Sequence, residues 1–335
     1  MSSGKTERLS GRNGVMRAAE ILRAGGTVAF PTETVYGLGA NALDDAAVAR
    51  IFEAKERPSW DPVIVHVSNR EMVDRVAEIP QSAERLIRAF WPGPLTLLLP
   101  RKPGIPDAVT AGRRLVGVRM PSHPLAADLI CAAGLPVAAP SANRFGMTSP
   151  TTAAHVFGDL DGRIDAVLDG GPTEVGVEST VIGPAENGAN WVMYRPGGVS
   201  KEALDRVLED GSVEVFRPAE SVETPESLPS PGVGIRHYAP RARLVLVDDR
   251  ELAAAIADGG TKVGVMLPEG WEATAAARIF RWGRWDDGDV LAQRLFAGLR
   301  ELDDAGVEVI VCPVPEMDGI GEAIRDRLRK AAREK

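Results

Sequence analysis

The sequence predicts an α/β fold, and three observations carry that expectation. Helix and strand signals alternate along nearly the whole chain. Four apolar runs, over residues 27–30, 115–120, 136–139 and 191–195, each stop at a proline: Pro31, Pro121, Pro140 and Pro196. The 35 glycines and 25 prolines, set against 5% aromatics, favour many tight turns over long helical bundles. Strands that end in rigid turns set hydroxyls, backbone N–H groups and arginines along one rim of a sheet. In open α/β sheets ligands bind at such a rim. The chain is therefore expected to be built around a polar cleft for small molecules.

The elements follow in order. A helix over about 14–24 has Asn13 as N-cap and Gly25 as its stop. The strand 27–30 runs into the turn PTETVYGLG, residues 31–39. Asp44 caps a helix to about Glu56, which Pro58 closes. PVIVHV, residues 62–67, reads as a strand, and 69–77 and 82–90 as helices. LTLLLP, residues 95–100, is a continuous apolar strand, and 115–120 is another. A helix over 124–133, a strand over 136–139, and strands near 166–169 and 179–182 come next. Ser200 caps a helix to about Glu209.

Residues 217–240 break the pattern, with Pro, Ser, Glu and Gly in place of apolar periodicity, which is linker composition. The stretch ends in IRHYAP, residues 235–240, which carries more chemistry than a spacer needs. Strands at 244–247, 262–267, 278–282 and 307–312 then alternate with helices at 250–257, 290–305 and 319–333. That is the pattern of a small Rossmann-like domain. A chain of 335 residues is long for one core. The expected division is a first domain at 10–216, a linker at 217–240 and a second domain at 241–335.

Composition narrows the function classes. The net charge is −8, with no basic tail, so no broad nucleic-acid footprint is visible. Cys131 and Cys312 sit far apart in apolar contexts and read as buried thiols of a reducing compartment. No apolar run nears the roughly 18–20 residues of a membrane span, and the first residues lack an apolar signal core. A cytoplasmic protein with no membrane contact is expected. There is no P-loop, and GLG at 37–39 does not extend to a dinucleotide fingerprint. His66, His123, His155 and His237 show no zinc spacing, and no G-x-S-x-G elbow exists.

The residues with chemistry cluster at the strand stops. Thr32, Thr34 and Tyr36 offer polar groups beside Gly37 and Gly39, where a backbone can approach a ligand; a self-satisfied turn explains them equally well. Lys55 and Arg57, followed by Ser59, sit at a helix end, where they either complement the dipole or grip a phosphate. Arg119 lies inside an apolar strand and needs an anion, from a protein carboxylate or from a substrate. Arg195, in VMYRPGG, poses the same question. PSANRFGMTSP, residues 140–150, can form a hydroxyl-and-amide nest through Ser141, Asn143, Thr148 and Ser149, or serve as a polar loop before a helix capped near Thr151 or Thr152. Ser179 and Thr180 stand at a strand entrance, and His66 is either a polar cleft wall or a locally bonded strand residue.

PTETVYGLGANA, KERP with a following DP, WPGPLTLLL, VGVRMP, PSAN, GVESTV and YRPG occur in this order over residues 26–200. This ensemble resembles the YrdC-like domain of threonylcarbamoyl-AMP synthases. The continuation through SPGVGIRHYAP into an α/β tail is similar to the longer, two-domain form of that family. Val63 stands where the family usually has Leu, a small apolar change, and GVGI replaces the usual basic residues before the RHYAP-like motif.

The resemblance implies an open twisted sheet with flanking helices. It also implies synthesis of L-threonylcarbamoyladenylate from L-threonine, bicarbonate and ATP, with release of pyrophosphate and with magnesium accompanying the ATP. Partner transferases would then modify the tRNA adenosine beside the anticodon, so the link to tRNA is indirect. Thr32, His66, Arg119, Ala139 and Ser179 are the implied threonine-binding residues. Lys55, Arg57, Ser59, Ser141, Asn143, Ser149, Arg195 and Tyr238 are the implied ATP-binding residues, with Tyr238 on a lid. No covalent nucleophile is implied. An RNA-binding module is the rival reading. A hydrogenase-maturation carbamoyltransferase is excluded, because two cysteines cannot build that protein's paired-cysteine zinc sites.

Overall fold

The computed structural model describes residues 5–185, 190–208, 213–216, 230, 237–248, 250–273 and 278–333. The strands of the first domain are β1 (Glu7–Ser10), β2 (Val28–Phe30), β3 (Gly37–Asn41), β4 (Ile64–His66), β5 (Leu95–Pro100), β6 (Leu115–Arg119), β7 (Val137–Ala138), β8 (Ala166–Asp169), β9 (Thr180–Pro184), β10 (Trp191–Arg195) and β11 (Glu214–Val215). They form one sheet in the order β1-β8-β2-β3-β7-β4-β6-β5-β9-β10-β11. The sheet is mixed: β2–β3, β3–β7, β4–β7, β5–β6 and β9–β10 pair antiparallel, and the other pairs are parallel.

Its helices are α1 (Gly11–Arg23), α2 (Asp45–Lys55), α3 (Arg70–Val73), α4 (Glu84–Phe90), α5 (Asp107–Thr110), α6 (Pro124–Ala133), α7 (Ala153–Leu160) and α8 (Lys201–Leu208). The Asp44 carboxylate caps α2 by accepting from the backbone N–H groups of Ala46 and Ala47. Glu56 then turns left-handed at φ 55° and delivers Arg57 to the cleft. Gly134 ends α6 in the same conformation, and Thr152 caps α7. The Ser200 hydroxyl accepts from the N–H of Ala203 at the start of α8; Glu209 lies outside the described residues.

Three local expectations are corrected. Helix α1 starts at Gly11, not near residue 14, and Asn13 lies inside it. The cause is β1, which pairs parallel with β8 and hands the chain to the helix through Gly11 at φ 62°. The end of the turn at 31–39 is the strand β3, whose glycines hide its pattern. A Cβ on Gly39 would stand 2.7 Å from Val137 Cγ1 and 2.8 Å from Phe30 Cε1, so only glycine lets β3 fit there. The helices expected over 69–77 and 82–90 shorten to α3, capped by Asn69, and to α4 behind a 3-10 turn at Gln81–Ala83.

The second domain is an all-parallel sheet of β12 (Arg243–Val247), β13 (Val263–Pro268), β14 (Arg278–Gly283) and β15 (Val309–Pro313), in the order β12-β15-β13-β14. Helices α9 (Leu252–Asp258), α10 (Gly288–Asp304) and α11 (Ile320–Ala331) flank it. Of the expected linker, Ser230 and residues 237–240 are described.

The two domains share an apolar seam. Val35 and Val177 of the first domain belong to one buried cluster with Tyr238, Trp282, Phe296 and Leu299. Gly176, at φ 79°, lies so close to α10 that a Cβ there would fall 2.3 Å from Gln293 Cα. Arg300 of α10 adds a 2.6 Å ion pair to Asp159 of α7.

Candidate active site

One cleft opens where strand ends of the first sheet meet the second domain. Thr32, Thr34 and Val35 reach it from the turn after β2, and Gly37 from the start of β3. Arg57 enters from the end of α2, Ile64 and His66 from β4, and Arg119 from the end of β6. Ala139, Pro140 and Ser141 follow β7, Glu178 and Ser179 precede β9, and Arg195 ends β10. His237 and Tyr238 complete the wall. Of the residues implied for binding, Thr32, His66, Arg119, Ala139, Ser179, Arg57, Ser141, Arg195 and Tyr238 therefore line one space.

Register explains the placements. His66 and Arg119 are direct partners across β4 and β6, so their side chains share a face. A bridge between Gly37 and Ser141 brings the loop after β7 to the head of β3. The pairing of β9 and β10 shifts between Met193 and Arg195, and this irregularity re-aims Arg195.

At one end, Arg119 Nη2 lies 2.6 Å from Glu33 Oε1, Nη1 donates to Thr34 Oγ1 at 2.9 Å, and Nε donates to the Gly93 carbonyl at 3.3 Å. The buried charge thus has a protein carboxylate. Burial pushes the Glu33 carboxyl up, but Arg119 outweighs it and holds the group below its ordinary value. Thr32 Oγ1 donates to the Val35 carbonyl at 2.6 Å and meets Thr34 Oγ1 at 2.8 Å. Burial, reinforced by Arg119, pushes His66 down to about 3, so the imidazole is neutral. It stands edge-on to Phe30 with ring centroids 6.0 Å apart.

The other end is cationic. Arg57 pairs with Asp61 at 3.0 Å and donates to the carbonyls of Asp61 and Pro62 at 3.0 and 2.6 Å. Arg195 donates through Nε and Nη2 to the Ser179 carbonyl at 3.1 and 2.9 Å, and through Nη2 to Ser179 Oγ at 3.1 Å. Ser179 Oγ also meets Thr96 Oγ1 at 2.8 Å, so its rotamer is fixed. The guanidinium of Arg57 faces the Phe145 ring at 6.0 Å.

Lys55 lies behind this wall. Its ammonium donates to the Ser141 carbonyl at 2.6 Å and to the Asn143 carbonyl, so it clamps the 140–150 loop. Burial, with Arg57 next, pushes its amine well below the ordinary lysine value. Asn143 shapes the same loop by donating to the Arg144 and Met147 carbonyls, each at 2.8 Å. Ser149 donates to Glu178, and Ser59 is exposed. Lys55, Ser59, Asn143 and Ser149 do not line the cleft.

Glu33 and Glu178 escaped the reading of the sequence. Each is an acid set between small or hydroxyl residues at a strand entrance or stop. Like Arg119, both are charges among buried neighbours. The Glu178 carboxylate accepts from Ser149 Oγ and, at 2.6 Å, from Nε of Arg327 in α11. Burial pushes its carboxyl up, yet Arg327 and Arg195 hold it below the ordinary range.

Tyr238 takes φ 65°, and its ring lies 4.9 Å from the Arg327 guanidinium carbon and 5.9 Å from the Phe296 ring. His237 sits between Phe145 at 5.7 Å and Tyr238 at 4.3 Å. Ala239 donates to the Gly146 carbonyl at 2.9 Å, which ties this segment to the 140–150 loop. Arg236 lies outside the described residues. Among the described residues no group of three or more His, Cys, Asp or Glu side chains forms a metal site. Cys131 is exposed and Cys312 is buried in the second domain, and neither lines the cleft. Arginines, hydroxyls and a neutral imidazole can bind and orient an anion, but they supply no obvious nucleophile.

A large mixed sheet holding a buried, arginine-lined cleft at its strand ends defines an α/β protein that acts on small anions by positioning them. Residues 20–197 match the Sua5, YciO and YrdC family described as telomere recombination, and residues 199–333 match the C-terminal domain of threonylcarbamoyl-AMP synthase. The chain belongs to this family. The threonylcarbamoyl-AMP synthase of Pyrococcus abyssi is 44% identical over 94% of this chain and 93% of its own. That of Bacillus subtilis is 43% identical over 95% of this chain and 92% of its own. A crystal structure of Pyrococcus abyssi Sua5 complexed with L-threonine superposes with a TM-score of 0.89 at 43% identity, covering 98% of this chain and 97% of that one. The second match begins at residue 199, although α8 packs against α4 and β11 pairs with β10 of the first sheet. No described helix is long and apolar enough to cross a membrane.

Proposed function

We propose that the chain is an ATP-dependent synthase that makes L-threonylcarbamoyladenylate from L-threonine, bicarbonate and ATP and releases pyrophosphate. The carrying observation is that one cleft joins two unlike ends, a corner built from His66, Arg119 and the 32–34 turn, and a wall built from Arg57, Arg195 and Ser141. The likeness over nearly the full chain to a protein solved with L-threonine supports this reading.

The threonine amine and bicarbonate first condense to a carbamate, an N–C bond forming as a C–O bond breaks and water leaves. A carbamate oxygen then attacks the α-phosphorus of ATP, forming one P–O bond as the bond to the bridging oxygen of pyrophosphate breaks. Such a step needs alignment and charge neutralisation more than a nucleophilic side chain. Arg119, braced by Glu33, meets the threonine carboxylate, while neutral His66 and the 32–34 turn bound the amino-acid corner. Arg57 and Arg195 face the phosphates, and Lys55 holds the loop that presents Ser141. His237 and Tyr238 shield the reactive adenylate from water. Magnesium would add charge neutralisation at the phosphates, and the hydroxyls of Ser141 and Ser179 are hard-oxygen donors of the kind that ion takes.

The product would pass to transferase proteins that modify tRNA beside the anticodon, in the cytoplasm. An acidic chain of net charge −8 does not favour RNA binding as the main role. The test is pyrophosphate release from ATP with L-threonine and bicarbonate omitted in turn. Release should need both, and equal release without either would overturn the synthase reading.

A further inference from the structure

Helix α10 of the second domain meets the first along one face, where Phe296, Arg300 and Asp303 follow one another at spacings of four and three. Phe296 lies 5.9 Å from the Tyr238 ring. The Asp303 carboxylate accepts from the backbone N–H groups of Arg241 at 3.1 Å and Ala242 at 2.9 Å, directly after the 237–240 segment. Between them, Arg300 reaches the 140–150 loop. Its Nη2 donates to the Thr148 carbonyl, and its Nε to the Ser149 carbonyl at 3.4 Å. The same guanidinium meets Asp159 of α7, at 2.6 Å from Nη2 and 3.3 Å from Nη1. The side chain is 11% exposed, so its charge depends on these protein partners more than on water. An ion pair with Asp159 does not by itself require the two carbonyls. Only arginine can serve a carboxylate and two carbonyls from one plane.

We infer that Arg300 is a positioning residue for the phosphate end of the cleft, acting through the 140–150 loop. That loop is gripped twice. Lys55 holds the Ser141 and Asn143 carbonyls from the first domain, and Arg300 holds the Thr148 and Ser149 carbonyls from the second. Between the two grips lie the residues on which the 237–239 segment rests. Phe145 faces His237 at 5.7 Å, Gly146 accepts from the Ala239 N–H at 2.9 Å, and Met147 bridges to Ala239. At the ends of the loop, Ser141 lines the cleft and Ser149 donates to Glu178, which lines it too. One face of α10 therefore holds both the segment over the cleft and the loop beneath that segment. Without the bonds from Arg300 the second grip opens, and Ser141 and Tyr238 lose their common frame. That the ligand at this end is ATP rests on the proposed function; that Arg300 sets the loop does not.

The test uses the full chain and compares the wild type with Arg300→Lys and with Asp159→Asn. A lysine keeps a cation beside Asp159 but has one nitrogen where the arginine uses three, so it releases the carbonyls. Asp159→Asn removes the ion pair and leaves the arginine donors facing those carbonyls. Pyrophosphate release should show the KM for ATP raised about 10-fold in Arg300→Lys, with the KM for L-threonine within about 2-fold of wild type. In Asp159→Asn both KM values should stay within about 2-fold. Hydrogen exchange read by mass spectrometry, with no nucleotide present, gives a readout independent of turnover. Peptides covering residues 141–149 should exchange at least about 5-fold faster in Arg300→Lys and at the wild-type rate in Asp159→Asn, while β13 and α11 keep wild-type rates in both. Equal effects of the two variants would reduce Arg300 to an ion pair between domains and overturn the inference. So would a wild-type KM for ATP in Arg300→Lys, an equal rise in both KM values, exchange that quickens throughout the second domain, or an Arg300→Lys chain that does not fold. Wild-type release that ignores threonine would instead sink the synthase reading, while hydrogen exchange would still judge Arg300.

Discussion

Arg119 shows how a buried charge divides its work. Glu33 takes one of its amino groups and Thr34 another, so the guanidinium plane is fixed before any ligand arrives. A lysine cannot reproduce that fork. Arg119→Lys should raise the KM for L-threonine about 10-fold or more and leave the KM for ATP within about 2-fold, measured by pyrophosphate release. A lower melting temperature with unchanged threonine affinity would mark Arg119 as a structural ion pair only. His66 gives a pH signature. Its folded pKa, about 3, lies below the unfolded value of 6.5, so the unfolded chain binds the proton first as pH falls. Its contribution is complete above about pH 6.5 and is lost below it, by about 2 kcal/mol at pH 5. Thermal melts of His66→Phe should therefore show a shallower loss of stability between pH 7 and pH 5 than the wild type. An identical pH slope would mean that His66 takes up its proton equally in the folded and the unfolded chain.

At the scale of elements, the strand stops carried much of the site in advance. Proline after β2, near β6, after β7 and after β10 marks where side chains leave the sheet, and a single sequence displays that directly. Strand β3 was not legible, because two of its five residues are glycines and the crowding that demands Gly39 comes from Phe30 and Val137. Partners far apart in sequence were equally hidden. Lys55 reads as a free cation at a helix end, but its two acceptors are the carbonyls of Ser141 and Asn143. Glu178 meets a residue in α11, which no local pattern announces. The 237–239 segment was legible as chemistry but not as geometry. It packs on the 140–150 loop through Phe145 and Gly146, which suits a cover over the cleft. Tyr238→Ala should cut synthase turnover by about 10-fold or more while far-ultraviolet circular dichroism stays unchanged. Full turnover in that variant would remove the cover from the mechanism.

For the whole molecule, the alternation of helix and strand foretold two α/β bodies, and the sheets of eleven and four strands among the described residues bear that out. What the alternation does not contain is the contact between them. A chain ending at residue 216 keeps the first sheet and most of its core, so it should fold. It loses His237 and Tyr238 from the cleft, and Arg327 from Glu178. Its synthase activity should fall by about 100-fold or more, an accumulation of several kcal/mol from lost positioning and an uncompensated buried carboxylate. A folded, fully active fragment would confine the second domain to partner binding or stability.

The seam that places Val35 and Val177 in one apolar cluster with Trp282 and Phe296 has a consequence for how the chain can be cut. Two separately made polypeptides, one ending at residue 216 and one starting at residue 230, would each present one side of that seam, together with the complementary charges of Asp159 and Arg300 and of Glu178 and Arg327. Mixed in solution, they should find each other and rebuild the cleft. Function would then survive the loss of covalent continuity, and any nick between the halves would leave a working heterodimer.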